Sequence, residues 1–106
     1  MSLIVQKYGG TSVANPERIN AVADRVKRFV NKGHKVVVVV SAMSGETNKL
    51  LQFINDVNKK PDPRESDVVL STGEQVTIGL TALAIQARGV KAKSYTGAQV
   101  KILTDN

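Results

Sequence analysis

Val36-Val37-Val38-Val39-Val40, running directly into Ser41-Ala42-Met43-Ser44-Gly45-Glu46-Thr47-Asn48, is the stretch on which the fold turns. Five consecutive β-branched residues favour a strand. Their lack of alternation is typical of a parallel sheet buried on both faces. Reading back from there, Gly33 lies just beyond Lys32 and suits a left-handed helix stop. Before it, Ile19, Val22, Ala23, Val26, Phe29 and Val30 recur at helical spacing. Asn15-Pro16 supplies an N-cap and a first-turn proline. Residues 3–8 then read as a first buried strand, so residues 3–40 form a βαβ unit with a right-handed crossover.

Reading forward, Leu50, Leu51, Ile54 and Val57 mark a second helix, closed by Pro61-Asp62-Pro63. Residues 64–71 suit a short helix that Gly73 interrupts. Val76, Leu80, Leu83, Ala84 and Ala87 then outline a further amphipathic helix, ended by Gly89. Residues 90–95 read as a third strand and 100–104 as a fourth. The expected class is α/β, with helices packed on a mostly parallel sheet. The chain stops straight after a strand-like run, leaving an open sheet edge and uncovered apolar surface. We therefore expect residues 1–106 to be part of a larger domain.

Composition narrows the functional classes. The chain has 106 residues, 42% of them hydrophobic, and no cysteine, so neither a disulfide framework nor thiolate chemistry is available. No apolar run approaches the roughly 20 residues of a membrane helix, and no signal-like segment opens the chain. A cytoplasmic protein is the expectation. The net charge of +6 invites a nucleic-acid reading. However, Arg25, Lys27, Arg28 and Lys32 look spread around a helix, and Lys59-Lys60 sit at a helix end. Lys91, Lys93 and Lys101 alternate along a strand. No aromatic stacking platform accompanies them. Solvated faces with a taste for small anions fit better.

Lys7-Tyr8-Gly9-Gly10-Thr11-Ser12-Val13, at the end of the first strand, has the makings of an anion cradle. Glycines allow close backbone approach, hydroxyls donate, and the lysine adds a point charge. Neither the Walker A pattern nor the dinucleotide G-x-G-x-x-G is present. The Ser41–Asn48 segment would be a second such loop on the neighbouring strand, facing the same crevice. Ser41, Ser44 and Thr47 are also ordinary N-cap residues, a role that accounts for one hydroxyl but not three. Glu74, in Ser71-Thr72-Gly73-Glu74-Gln75, reads equally as a first-turn partner of the helix dipole or as a binder of a substrate ammonium. His34 is the sole histidine and has no second ligand beside it. Asp62, Glu65 and Asp67 look like solvated loop charge.

Taken in series, Lys7–Val13, Ser41–Asn48, Leu70-Ser71-Thr72-Gly73-Glu74 and Ser94-Tyr95-Thr96-Gly97 resemble the aspartokinase branch of the amino acid kinase family. The resemblance spans the whole chain. It implies a three-layer α/β/α, carbamate kinase-like fold, of which residues 1–106 would be the N-terminal, substrate-side part. It also implies ATP-dependent phosphorylation of the L-aspartate side-chain carboxylate, the first step towards lysine, threonine, methionine and diaminopimelate.

By motif match, Lys7 would be the catalytic residue holding the transferring phosphoryl group. Gly9, Gly10, Thr11 and Ser12 would complete the phosphate loop. Ser41 and Thr47 would contact aspartate and Glu74 its ammonium group, with Ser44 and Gly45 lining the site. The cofactors implied are ATP and the Mg²⁺ it carries, with no dedicated protein metal site. In aspartokinases a nucleotide-binding half and ACT regulatory domains follow this region, and a parent protein would oligomerise through them. Residues 1–106 alone would then bind ATP poorly and not turn over. Neither nucleic acid nor membrane is an expected partner. Two other readings stay open: a small anion- or nucleotide-binding α/β module without chemistry, and an amino acid kinase relative with a different acid substrate.

Overall fold

The computed structural model describes residues 2–95 and the strand at 102–105. Its order is β1 (Leu3–Tyr8), a short 3-10 helix (Gly10–Val13), α1 (Pro16–Asn31), β2 (Lys35–Val40), α2 (Glu46–Val57), α3 (Pro63–Gln86), β3 (Lys91–Ser94) and β4 (Ile102–Asp105). The four strands form one sheet in the order β1-β2-β4-β3. β1 and β2 pair in parallel, from Leu3 opposite Lys35 to Tyr8 opposite Val40. β4 runs antiparallel to both its neighbours, so β1, β2 and β3 share one direction and β4 opposes them.

The first helix is built as its sequence dictates. Asn15 Oδ1 accepts the Arg18 backbone N–H at 2.9 Å, Pro16 occupies the first turn, and Gly33 takes a φ of +90° beyond the last turn. Ile19, Val22, Ala23, Val26 and Val30 bury its inner face. They pack with Val36 and Val38 of β2, Val13 of the 3-10 helix, and Ile78 and Ile85 of α3.

β2 departs from the expectation of a strand buried on both sides. Val36, Val38 and Val40 are buried, whereas Val37 and Val39 are half-buried. β1 departs further, with Leu3 66% and Val5 57% exposed. By strand alternation and register, Leu3, Val5, Lys7, Val37 and Val39 share one face. α1 and α3 occupy the other. Among the described residues the sheet and one helical layer are present, and that first face is left uncovered.

The second departure is α3. Instead of a short helix, a break at Gly73 and a second helix, one helix of 24 residues runs from Pro63 to Gln86. Gly73 is buried inside it, and a Cβ there would stand 3.1 Å from Ala42 Cβ and 3.4 Å from Leu50 Cδ1. The glycine allows a close approach at the cost of some helix propensity. Nor is the buried stripe the one expected, because Val76, Leu80 and Leu83 are exposed. Gly73, Thr77, Ile78, Thr81, Ala82 and Ile85 face inward instead. The two threonines are tolerated there because their hydroxyls donate to carbonyls one turn back, Thr77 to Gly73 at 3.2 Å and Thr81 to Thr77 at 2.7 Å.

At its start, Asp62 is an N-cap rather than loose loop charge, accepting the Glu65 N–H at 3.0 Å. By length and mean hydropathy of 1.4, α3 would also suffice to cross a membrane, although a third of that window is buried against the rest of the fold. α2 is peripheral. Ile54 is its buried residue, while Leu51 and Val57 lie exposed.

Arg88, just past α3, fastens that helix to α1. Its Nε donates to Asp24 Oδ1 at 2.6 Å, and its Nη1 donates to Asn20 Oδ1 at 3.4 Å and to the Ala84 carbonyl at 2.8 Å. The hydrogen bond from Arg88 holds the Asp24 carboxyl below its ordinary value. A depressed carboxyl stabilises the fold above its unfolded pKa of about 3.9, and the effect is lost as pH falls through the folded value. Arg88→Ala should move the Asp24 titration, followed by carboxyl-carbon NMR, back towards the ordinary range. An unmoved midpoint would show that the pair does not form in solution.

Candidate functional site

Parallel pairing brings the C-terminal ends of β1 and β2 side by side, and the two motif loops leave from those ends. The Ser41 N–H donates to the Tyr8 carbonyl at 3.2 Å, carrying the ladder one step past the strands. The Ser44 N–H then donates to the Gly10 carbonyl, also at 3.2 Å, and joins the loops directly. Gly10 is glycine for a steric reason. A Cβ there would lie 3.0 Å from the Ala42 carbonyl oxygen and 3.3 Å from the Ser44 nitrogen. At Gly9 a Cβ would meet nothing within 4 Å. One glycine seats the loops together; the other faces open space.

The second loop ends in Gly45, at a φ of +87°, which starts α2 without a side-chain cap. Capping therefore does not account for Ser41, Ser44 or Thr47. All three residues are exposed, and none of their hydroxyls has a hydrogen-bond partner among the described residues. α3 meets the same corner, since a Cβ built at Gly73 would reach Ala42 Cβ and, at 4.0 Å, Glu46 Cβ. Glu74, the next residue, is half-buried. It lies well inside α3, which begins at Pro63, and so is no first-turn residue for the helix dipole.

The structure thus gathers Lys7, Gly9, Gly10, Thr11, Ser41, Ser44, Gly45, Thr47 and Glu74 around one end of the sheet. Lys7 is exposed, opposite Val39, on the uncovered face. Ser12 differs from the rest. It lines a cavity on the helix side with Tyr8, Arg18, Arg25 and Arg28. Those arginines share one side of α1, whereas Lys27 and Lys32 do not line the cavity. Their spacing at 18, 25 and 28 was the available signal. Ser94 ends β3 and Tyr95 follows it, and Thr96 and Gly97 lie outside the described residues.

The chain belongs to the amino acid kinase family, whose model matches residues 2–105. Over its full length it is 60% identical to an aspartate kinase of Stutzerimonas stutzeri and 61% identical to an aspartokinase of Pseudomonas aeruginosa. It spans about a quarter of those relatives, 26% in each case. Among solved structures it superposes on an aspartate kinase from Synechocystis with a TM-score of 0.87 and 49% identity, covering 97% of this chain and 19% of that one. The E. coli aspartokinase III complex with aspartate and ADP shares the fold, with a TM-score of 0.68 at 23% identity, covering 88% of this chain and 31% of that one.

Substituting the seating glycine should part the loops. Gly10→Val is expected to destabilise the chain by about 1–3 kcal/mol, the usual range for overpacking, and to speed hydrogen exchange at the Ser44 amide. Gly9→Ala should do neither. Equal effects at the two positions, read by denaturant unfolding and amide exchange, would contradict this account of the corner.

Proposed function

We propose that residues 1–106 are the substrate-side part of an aspartokinase catalytic domain, phosphorylating the L-aspartate side chain with MgATP. The observation that carries this reading is the joined pair of loops at the tips of β1 and β2, with three uncapped hydroxyls, Lys7 and Glu74 around them. Its support also includes the family and the aspartokinase names of relatives at about 60% identity.

The chemistry suits these residue types. The nucleophile is a carboxylate with a pKa of about 4, ionised at neutral pH, so no general base is required. A carboxylate oxygen bonds to the γ-phosphorus as the bond to the bridging oxygen breaks, and its electron pair leaves with ADP. The protein's task is positioning and charge neutralisation. In this proposal the Lys7 ammonium offsets charge on the transferring phosphoryl group, and the amides of Gly9, Gly10 and Thr11 surround it. Ser41 and Thr47 bind aspartate beside Ser44 and Gly45, and Glu74 takes its ammonium group.

Among the described residues no group of three histidines, cysteines or acids is disposed to hold a metal. In this proposal Mg²⁺ arrives with ATP as part of the substrate. Adenosine contacts, regulatory domains and oligomer formation would belong to sequence beyond this quarter of the relatives' length, in a cytoplasmic enzyme.

The test uses a longer protein carrying this sequence, assayed for aspartyl phosphate. Lys7→Ala should lower kcat by about 10²–10³-fold, the effect of removing one donor to transition-state charge. Glu74→Gln should raise the KM for aspartate by roughly tenfold or more. Glutamate should be a poor acceptor. An unchanged kcat would remove Lys7 from this role, and indifference to Glu74 would favour a phosphate-binding module.

A further inference from the structure

The glycine loop has a second side. Where it turns into the 3-10 helix, Ser12 faces α1 across a cavity of about 250 Å³ lined by Tyr8, Ser12, Arg18, Val22, Arg25 and Arg28. This is smaller than the roughly 300–1,000 Å³ of sites for drug-sized ligands. Three arginines line it and no acidic residue does. None of the three has an ion-pair partner among the described residues. Asp24, one turn before Arg28, is engaged by Arg88. Of the three, Arg28 alone feels the Asp24 carboxylate; the like charges otherwise repel one another across an exposed wall, and a bound anion would reduce that repulsion.

We infer that this cavity binds a small multivalent phosphoryl anion, held by Arg18, Arg25 and Arg28 with the Ser12 hydroxyl as a further donor. Guanidinium forks suit tetrahedral oxyanions. Donors at positions 18, 25 and 28 are spread along nearly three helical turns, which a phosphoryl group bridges better than a single planar carboxylate. The Tyr8 hydroxyl donates to Gln6 Oε1 at 2.7 Å, so its proton is already committed. Burial raises the Tyr8 phenol above its ordinary value, and the positive charges of Arg25 and Arg28 act against that rise, so their field reaches the cavity wall. The site lies behind the loop assigned to phosphoryl transfer and does not depend on that assignment.

The experiment titrates the ¹⁵N-labelled 106-residue chain with inorganic phosphate, pyrophosphate and ATP at constant ionic strength, with chloride as the control. Saturable shifts are expected at the Ser12, Arg18 and Arg25 amides and the arginine Nε groups, with a pyrophosphate Kd on the order of a millimolar or tighter. Arg18→Ala and Arg25→Ala, both at exposed positions and so compatible with folding, should each weaken binding about tenfold. Lys27→Ala, on the same helix outside the cavity, should change it less than about twofold. ATP displacing pyrophosphate from these resonances would identify a nucleotide as the source of the phosphoryl group. ATP leaving them untouched would identify a free inorganic anion. Shifts that stay linear, match chloride or survive both arginine substitutions would overturn the inference.

Discussion

The parallel pairing of β1 with β2 is the constraint on which everything else rests. Two strands running the same way cannot be joined by a tight turn, so the chain must cross over, and α1 is that crossover. The same pairing puts both outgoing loops at one end of the sheet. The Ser44 amide and Gly10 carbonyl can then bond across the gap. With antiparallel strands the outgoing loops would sit at opposite ends, and no shared corner would exist.

The third arm of that corner depends on α3 being one uninterrupted helix. Gly73 lets it press on Ala42, and inward threonines that satisfy their own hydroxyls let it bury a stripe poor in large aliphatics. A break at Gly73 would free Glu74 from the rigid element that now holds it half-buried beside the loops. The buried position of one small residue thus sets where a carboxylate stands.

Much of this was legible in the residues themselves. The cap at Asn15, the stop at Gly33 and the valine strand are local signals, and each acts within a few residues of where it is read. What misled were signals whose meaning is tertiary. A mid-helix glycine reads as a breaker until its packing partner is known. Threonine reads as polar until its i−4 carbonyl is counted, so sequence alone points to Val76, Leu80 and Leu83 as the inward face of α3. Glu74 likewise reads as a helix opener only if the helix is taken to begin after Gly73, whereas it begins at Pro63. For the site, the motifs located the loops, but the capping role of their hydroxyls was excluded only by Gly45 serving as the cap. The common side of Arg18, Arg25 and Arg28 emerges only when Arg18 is read together with the later arginines and Lys27 is set apart from them.

The uncovered side of the sheet gives Lys7 an unusual neighbourhood. Val5 and Leu3 stand two and four positions before it on the same side, and Val39 lies opposite. An oily apron of that kind invites a covering layer, and any layer settling there would expel water from the ammonium group's surroundings. Coulomb attraction grows as the local dielectric falls, from about 1 kcal/mol at 4 Å in water to about 4 at an effective constant of 20. The aliphatic patch that makes this chain poorly finished as a solitary object would, once roofed, sharpen the lysine's hold on an anion.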